Sequence, residues 1–362
     1  MTNHKRNINL DLIRIFAFLG VVGIHFFLNS GFYQVQITNS KHLLTIMVRT
    51  FFSYCVPFFI ILSGYLMSQK KITTNYYKGI LKTLLVYVLI SIVLIIYNNL
   101  YHSTGYSITD SFFMILSFDA ARYSWYIEMY IGLFLIIPYL NLVYNGLQSK
   151  EQKIGLICVG LFLTSLPLFL NSHNYRSLSW WGMPSQSSEY QQILPNYWTI
   201  IYPIVYYFIG CYINEFRPKM KSITNLLYII ITTILFGLYN YYRSFGSTYV
   251  NGDFQSWESP FTVVLSVLLF IYFLNLDTSK VSLRSRRLII IFSNATLGAY
   301  LVSSMFDDYF YSILNASITN FNVKIVMIVV MVPLVFLSSL LFSILLNYFI
   351  RTIKQLYKKM RI

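Results

Sequence analysis

Apolar residues fall into ten runs of about 17 residues or more, the length that crosses a bilayer as a helix. They lie near 8–28, 44–67, 80–100, 125–145, 154–170, 198–214, 223–239, 258–276, 288–306 and 322–350. Polar punctuation ends them, as Asn29-Ser30-Gly31 after the first and Gly146 after the fourth. The pattern predicts an all-α polytopic membrane protein, a bundle of about ten transmembrane helices. An even number returns both termini to one side. The connections 101–124, 171–197 and 240–257 are long, whereas 146–153 and 215–222 are short turns. There is no internal repeat, and no separate soluble domain is expected, so 1–362 reads as one transmembrane domain.

Basic residues orient the bundle. Of the 27 Lys and Arg residues, twenty fall on the side of the N-terminus, among them Lys5, Arg6, Lys70, Lys71, Arg284, Arg286, Arg287 and those of the basic tail 351–362. Six fall on the other side: Lys41, Arg49, Arg122, Arg176, Arg243 and Lys324. The excess marks the cytoplasmic face, so both termini are expected in the cytoplasm and the long connections outside. Composition agrees, with 56% hydrophobic and 11% charged residues, which excludes an ordinary soluble domain. The net charge of +15 is explained by orientation and by attraction to anionic lipid, leaving nothing for a nucleic-acid partner. Lys5 and Arg6 precede the first run like a signal, but no small-residue cleavage site follows, and the run is expected to stay as a helix. Cys55, Cys158 and Cys211 have neither metal nor redox spacing and are expected to be packing residues, with no metal site and no disulfide.

Ionisable groups inside a span are costly and mark function. Arg14 and His25 both lie in the first run, eleven residues apart, which is about three helical turns, so they share a face with Asp11 close by. The rise between them is about 16 Å, placing Arg14 near one surface and His25 in the opposite half of the bilayer. A quieter arrangement is that Arg14 pairs with Asp11 as i, i+3 neighbours and His25 is a hydrogen-bonded core residue. As chemistry, His25 suits a general base, since imidazole titrates near neutrality. Arg14 suits holding phosphate or developing oxyanion charge. Glu128, early in the fourth run, is a second acid that could orient the imidazole or move a proton. Lys70 and Lys71, just after the second run, suit the phosphates of a nucleotide-bearing cofactor, although lysines also gather there for orientation alone. The connection holding Tyr175, Arg176, Trp180, Trp181, Glu189 and Tyr190 has the composition that stacks on sugar rings, or that of an interfacial aromatic belt.

Several ordered segments resemble the membrane-bound acyltransferase 3 family. Leu10-Asp11-Leu12-Ile13-Arg14, then ten residues and His25, is similar to its first-helix motif. Pro57-Phe58-Phe59-Ile60-Ile61-Leu62-Ser63-Gly64-Tyr65 resembles the second-helix motif, with Lys70-Lys71 at the place of its basic pair. Trp125 to Leu133, ending in Ile137-Pro138-Tyr139-Leu140-Asn141, resembles the fourth-helix signature of exopolysaccharide-modifying members. Tyr207 to Ile213 and Leu297 to Val302 are similar to two later helices. The resemblance spans essentially the whole chain.

It implies ten core helices and acyl transfer from cytoplasmic acyl-CoA to an extracytoplasmic acceptor, usually a glycan hydroxyl. It carries over His25 as the catalytic residue, Arg14 as its helix partner, and Lys70 and Lys71 as donor-side residues. Departures are Ser303, where many members have a histidine, lysines where many have arginines, and Ser30 at the fifth position after His25, which removes the His-x4-Asp signature of glycerolipid acyltransferases. The expectation is a plasma-membrane O-acetyltransferase, with acetyl-CoA as donor and a surface or lipid-linked polysaccharide as acceptor. The alternative is a transporter or exporter of a polysaccharide unit or small molecule, in which an Arg–His face lines a proton path. A polysaccharide polymerase fits less well, because the longest outer connection carries only Arg176.

Overall fold

A computed structural model of the chain describes residues 6–360. It is helical throughout: α1 (Ile8–Asn29), α2 (Lys41–Phe51), α3 (Cys55–Met67), α4 (Thr74–Lys78), α5 (Ile80–Tyr101), α6 (Ile108–Leu116), α7 (Trp125–Gly146), α8 (Lys150–Leu170), α9 (Leu178–Gly182), α10 (Tyr202–Phe216), α11 (Ser222–Ser244), α12 (Pro260–Leu274), α13 (Leu283–Ser317), α14 (Phe321–Val326) and α15 (Ile328–Met360). Among the described residues there is no strand, only a single bridge between Gln36 and Thr248.

Nine helical stretches among the described residues are long and apolar enough to cross a membrane, which makes this a multi-pass membrane protein. The second is α2 and α3 joined through a tight 3-10 turn at Phe52–Tyr54, within the run Lys41–Met67. The sixth predicted span, 198–214, is not among the nine; it is α10, with 15 residues. That helix rises only about 22 Å, and the 3-10 turn Thr199–Ile201 before it adds about 6 Å. Its shortness goes with its position, since it is buried along most of its length against α3. The two helices cross backbone to backbone at Gly64 and Gly210. A Cβ at Gly64 would lie 2.0 Å from the Tyr207 carbonyl oxygen, and one at Gly210 would lie 2.1 Å from that of Ile61. Small residues permit this approach, as in other membrane helix pairs. Gly64→Ala is therefore expected to cost about 1–3 kcal/mol, read as a lowered thermal midpoint of the detergent-solubilised protein. Gly132→Ala, where a Cβ meets nothing within 4 Å, is the control, and equal midpoints for the two variants would remove the close crossing as a constraint.

Helix α1 is the axis of the bundle. Asn7 caps its start by accepting from the Asn9 amide. Ile13, Phe18, Val21, Val22 and Phe26 are all buried, and the helix packs on α3, α12, α13 and α15. Outer helices instead expose Leu100, Ile223, Leu227 and Leu341, an apolar flank suited to lipid. Arg6 and Asn347 wall the same cavity, so the start of α1 and the later part of α15 reach the same end of the bundle.

Candidate functional site

His25 projects from the last two turns of α1 into the interior and is 8% exposed. Its Nδ1 lies 3.2 Å from Oδ2 of Asp307, a fully buried carboxylate on α13. The Tyr123 hydroxyl donates to the same oxygen at 2.9 Å, and the Tyr123 ring stacks on the imidazole with centroids 3.7 Å apart. Oδ1 of Asp307 is buried without a hydrogen-bond partner among the described residues. A buried carboxylate left this short of partners is costly unless a positive charge develops beside it. With Nδ1 turned to Asp307, Nε2 is the nitrogen left for a substrate proton. The backbone is fastened locally. Asn29 donates to the His25 carbonyl at 2.8 Å, Asn315 of α13 donates to the Asn29 carbonyl at 2.9 Å, and Arg122 donates to the Asn29 side chain at 3.2 Å.

Arg14 sits lower on α1 and makes the expected i, i+3 pair with Asp11, at 3.2 Å. Asp11 is almost fully buried and also accepts from Arg6, at 2.6 and 2.7 Å, and from Ser293 at 2.7 Å. The hydrogen bond to Asp11 raises the Arg6 guanidinium above its already high ordinary value, so it stays charged. Two adjoining cavities meet at Arg14, sharing Thr83, Thr296 and Leu297 as well. The outer one, about 570 Å³, is walled by Arg6, Lys82, Asn294 and Asn347. The inner one, about 320 Å³, is mostly apolar, with Phe59, Leu62, Leu66, Met67, Tyr126, Tyr130 and Tyr300 in its wall. The Tyr300 hydroxyl donates to the Tyr123 carbonyl. Tyr300, in the wall of the inner cavity, is thus joined through Tyr123 to the imidazole. Arg14 and His25 share a helix without sharing a chamber.

Glu128 lies apart from this group. It occupies the exposed face of the first turn of α7, while its neighbours Tyr126 and Ile127 turn inward to the cavity. The carboxylate beside the imidazole is Asp307. Lys70 and Lys71 are exposed on the turn after α3, a few residues beyond the cavity-lining Met67, and the cations in the chamber wall are Arg6, Arg14 and Lys82. That turn is held rigidly all the same: Asn141 donates to the carbonyls of Met67 and Lys70, both at 2.8 Å, and accepts from Tyr207 at 2.6 Å. Ser303 is buried and donates within its own helix to the Tyr300 carbonyl.

The aromatic connection 171–197 packs around a cation. Trp180 and Tyr190 close on Arg243 of α11, with Tyr239 and Phe254 completing the cage at 4.0 to 5.8 Å. His173 in the same cluster bonds the Tyr239 hydroxyl at 2.8 Å. Burial, with the nearby Arg243 charge, holds its imidazole below the ordinary range. Trp180 is therefore committed to packing, whereas Tyr175, Trp181, Tyr190 and Tyr197 keep substantial exposure.

Asp307 was hidden in the sequence because the Asp307-Asp308 pair closes the apolar run at 306. The helix continues to Ser317, for 35 residues. Buried Tyr300, Ser304, Asp307, Tyr311 and Leu314 recur at helical spacing, the signal that extends this face past the acidic pair. Asp308 turns the other way and binds His102 at 2.7 Å and Tyr97 at 2.8 Å, pinning the end of α5.

A family model described as an acyltransferase domain matches residues 7–348. No curated protein and no solved structure matches the chain.

Proposed function

The chain belongs to the acyltransferase 3 family and is a membrane acyltransferase, and from this premise we propose that it moves an acetyl group from cytoplasmic acetyl-CoA to a hydroxyl of an extracytoplasmic or lipid-linked polysaccharide in the plasma membrane. The observation that carries the reading is the His25–Asp307 pair, joined through Tyr123 and Tyr300 to a chamber that adjoins one with a basic wall. The proposed orientation rests on the excess of basic residues at the end where Arg6 and Asn347 meet.

The donor fits the chambers by chemistry. Arg6, Lys82 and Arg14 offer cations for its phosphates, Lys70 and Lys71 add charge nearby, and the apolar inner chamber suits the pantetheine arm, whose thioester end has to pass the Tyr123–Tyr300 contact to reach His25. His25 Nε2 takes the proton of the acceptor hydroxyl as its oxygen bonds to the thioester carbonyl carbon. The Asp307 carboxylate offsets the charge the ring gains and holds its orientation, as a positioning residue. The carbon–sulfur bond then breaks, and the imidazolium returns its proton to the departing thiolate. The products are an O-acyl ester and free CoA, and no metal is required for the balance.

The direct test is the acyl content of the host's surface polysaccharide with and without the protein, by NMR. Unchanged acylation sinks the proposed acceptor. On the donor side, Lys82→Gln is expected to raise the KM for acetyl-CoA about three- to tenfold, and the difference from wild type should shrink as salt screens the phosphate contact. Lys70→Gln/Lys71→Gln is expected to change KM less, since both lysines stand outside the chamber wall. A larger effect from that pair would move the phosphate site to the rim.

A further inference from the structure

A cavity of about 710 Å³ opens at the other end of the bundle from Arg6 and reaches the turn of α1 that carries His25, with Ile24 and Leu28 in its wall. Its floor is Arg49, from the last turn of α2, which is 7% exposed. Arg49 Nε donates to the Tyr33 hydroxyl at 3.3 Å, Nη1 donates to Gln255 Oε1 at 3.0 Å, and the guanidinium lies 5.0 Å from the Tyr249 ring centroid. All three partners are neutral. No carboxylate pairs with Arg49 among the described residues. Asp253 belongs to the same wall, but it is exposed and does not form an ion pair with Arg49. Burying a guanidinium without a counter-charge is expensive. Arg243 has its missing acid replaced by a closed shell of rings, whereas Arg49 keeps one side open to a chamber. That chamber also presents the rings of Tyr33, Tyr249 and Trp257, flat apolar surfaces of the sort that pack on sugar faces.

We propose that this cavity is the acceptor subsite and that it selects an anionic glycan, in which a carboxylate or phosphate group near the reacting hydroxyl supplies the charge that Arg49 lacks. The word acceptor rests on the acyl-transfer reading; the preference for an anion rests on Arg49 and the cavity alone. Asp253 at the mouth takes hydrogen bonds from sugar hydroxyls and excludes a second negative charge from the rim.

The test uses the purified full chain in nanodiscs and three probes: a glucuronic-acid-bearing tetrasaccharide, the same tetrasaccharide with its carboxyls reduced, and a glucose oligomer bearing glycerol phosphate. Wild type should bind at least one anionic probe about tenfold more tightly than the neutral one. Which anion is preferred separates a carboxylate sugar from a phosphate-substituted one. The preference should vanish in Arg49→Gln, persist in part in Arg49→Lys, and be unchanged in His25→Ala, which keeps the cavity and loses the base. The comparison of probes on wild type needs no variant and stands even if Arg49→Gln fails to fold. Equal affinity for all three probes, no binding of either anionic probe, or a preference that survives in a folded Arg49→Gln protein overturns the inference. An Arg49-dependent preference without consumption of acetyl-CoA would support the anion site while counting against acyl transfer. Transfer to neutral and anionic glycans with equal KM would do the reverse.

Discussion

Exchange of His25 for alanine is expected to slow acyl transfer from acetyl-CoA by about 10²–10⁴-fold, the contribution of a positioned general base. The loss should fall on kcat. The chambers proposed for the donor are walled by Arg6, by α1 below His25 and by α3, α5, α7, α13 and α15, and His25 is in neither wall. Acetyl-CoA affinity should therefore stay near the wild-type value. Expression and membrane insertion should persist, because the surrounding apolar packing of Val21, Val22 and Phe26 is untouched. The measurement is transfer of radiolabelled acetyl groups by purified protein, with donor binding measured separately. Transfer at the wild-type rate would leave His25 as a packing residue and remove the proposed chemistry.

The second large effect is expected at Asp307. Asp307→Asn keeps the shape and the hydrogen bond from Tyr123 but removes the charge beside Nδ1. Without that charge the ring can adopt the wrong tautomer, and the imidazolium formed during attack loses its compensation, so kcat should fall by about a hundredfold or more. KM for acetyl-CoA should change less than about twofold, since Asp307 lines neither donor chamber. That split separates a positioning role from a merely structural one, which would instead lower the yield of folded protein and leave the kcat of the surviving fraction intact. Tyr123→Phe should give a smaller loss, because the ring stack and the carboxylate both remain.

How much of this was legible in the sequence depends on the range of each interaction. The first helix was read within a residue of its observed bounds, and the Arg14–Asp11 pair follows from i, i+3 spacing, because both depend on neighbours a turn away. Burial of His25 followed from its place in an apolar run. Hydropathy predicts a full span where the short α10 stands, since it does not register that Gly210 meets Gly64. Composition predicts a sugar platform or an interfacial belt for the aromatic connection and says nothing of Arg243 arriving from α11 to occupy it.

Local periodicity, hydropathy and basic-residue bias were enough to establish a multi-pass helical protein, the order of its apolar segments, and the placing of an arginine and a histidine on one membrane helix. These are properties of single segments and their flanks, and the bilayer enforces them on each helix separately. The partner of His25 lies 282 residues away at Asp307, where hydropathy ends the span and only the packing of α13 against α1 carries the carboxylate inward. The same holds for Arg6 and Lys82 in one chamber wall, for Arg49 at the base of another, and for Glu128 turning outward from α7. Each depends on the rotation and depth of one helix against its neighbours, which are settled by side-chain packing and close crossings such as Gly64 with Gly210, long-range contacts that leave no period in the chain.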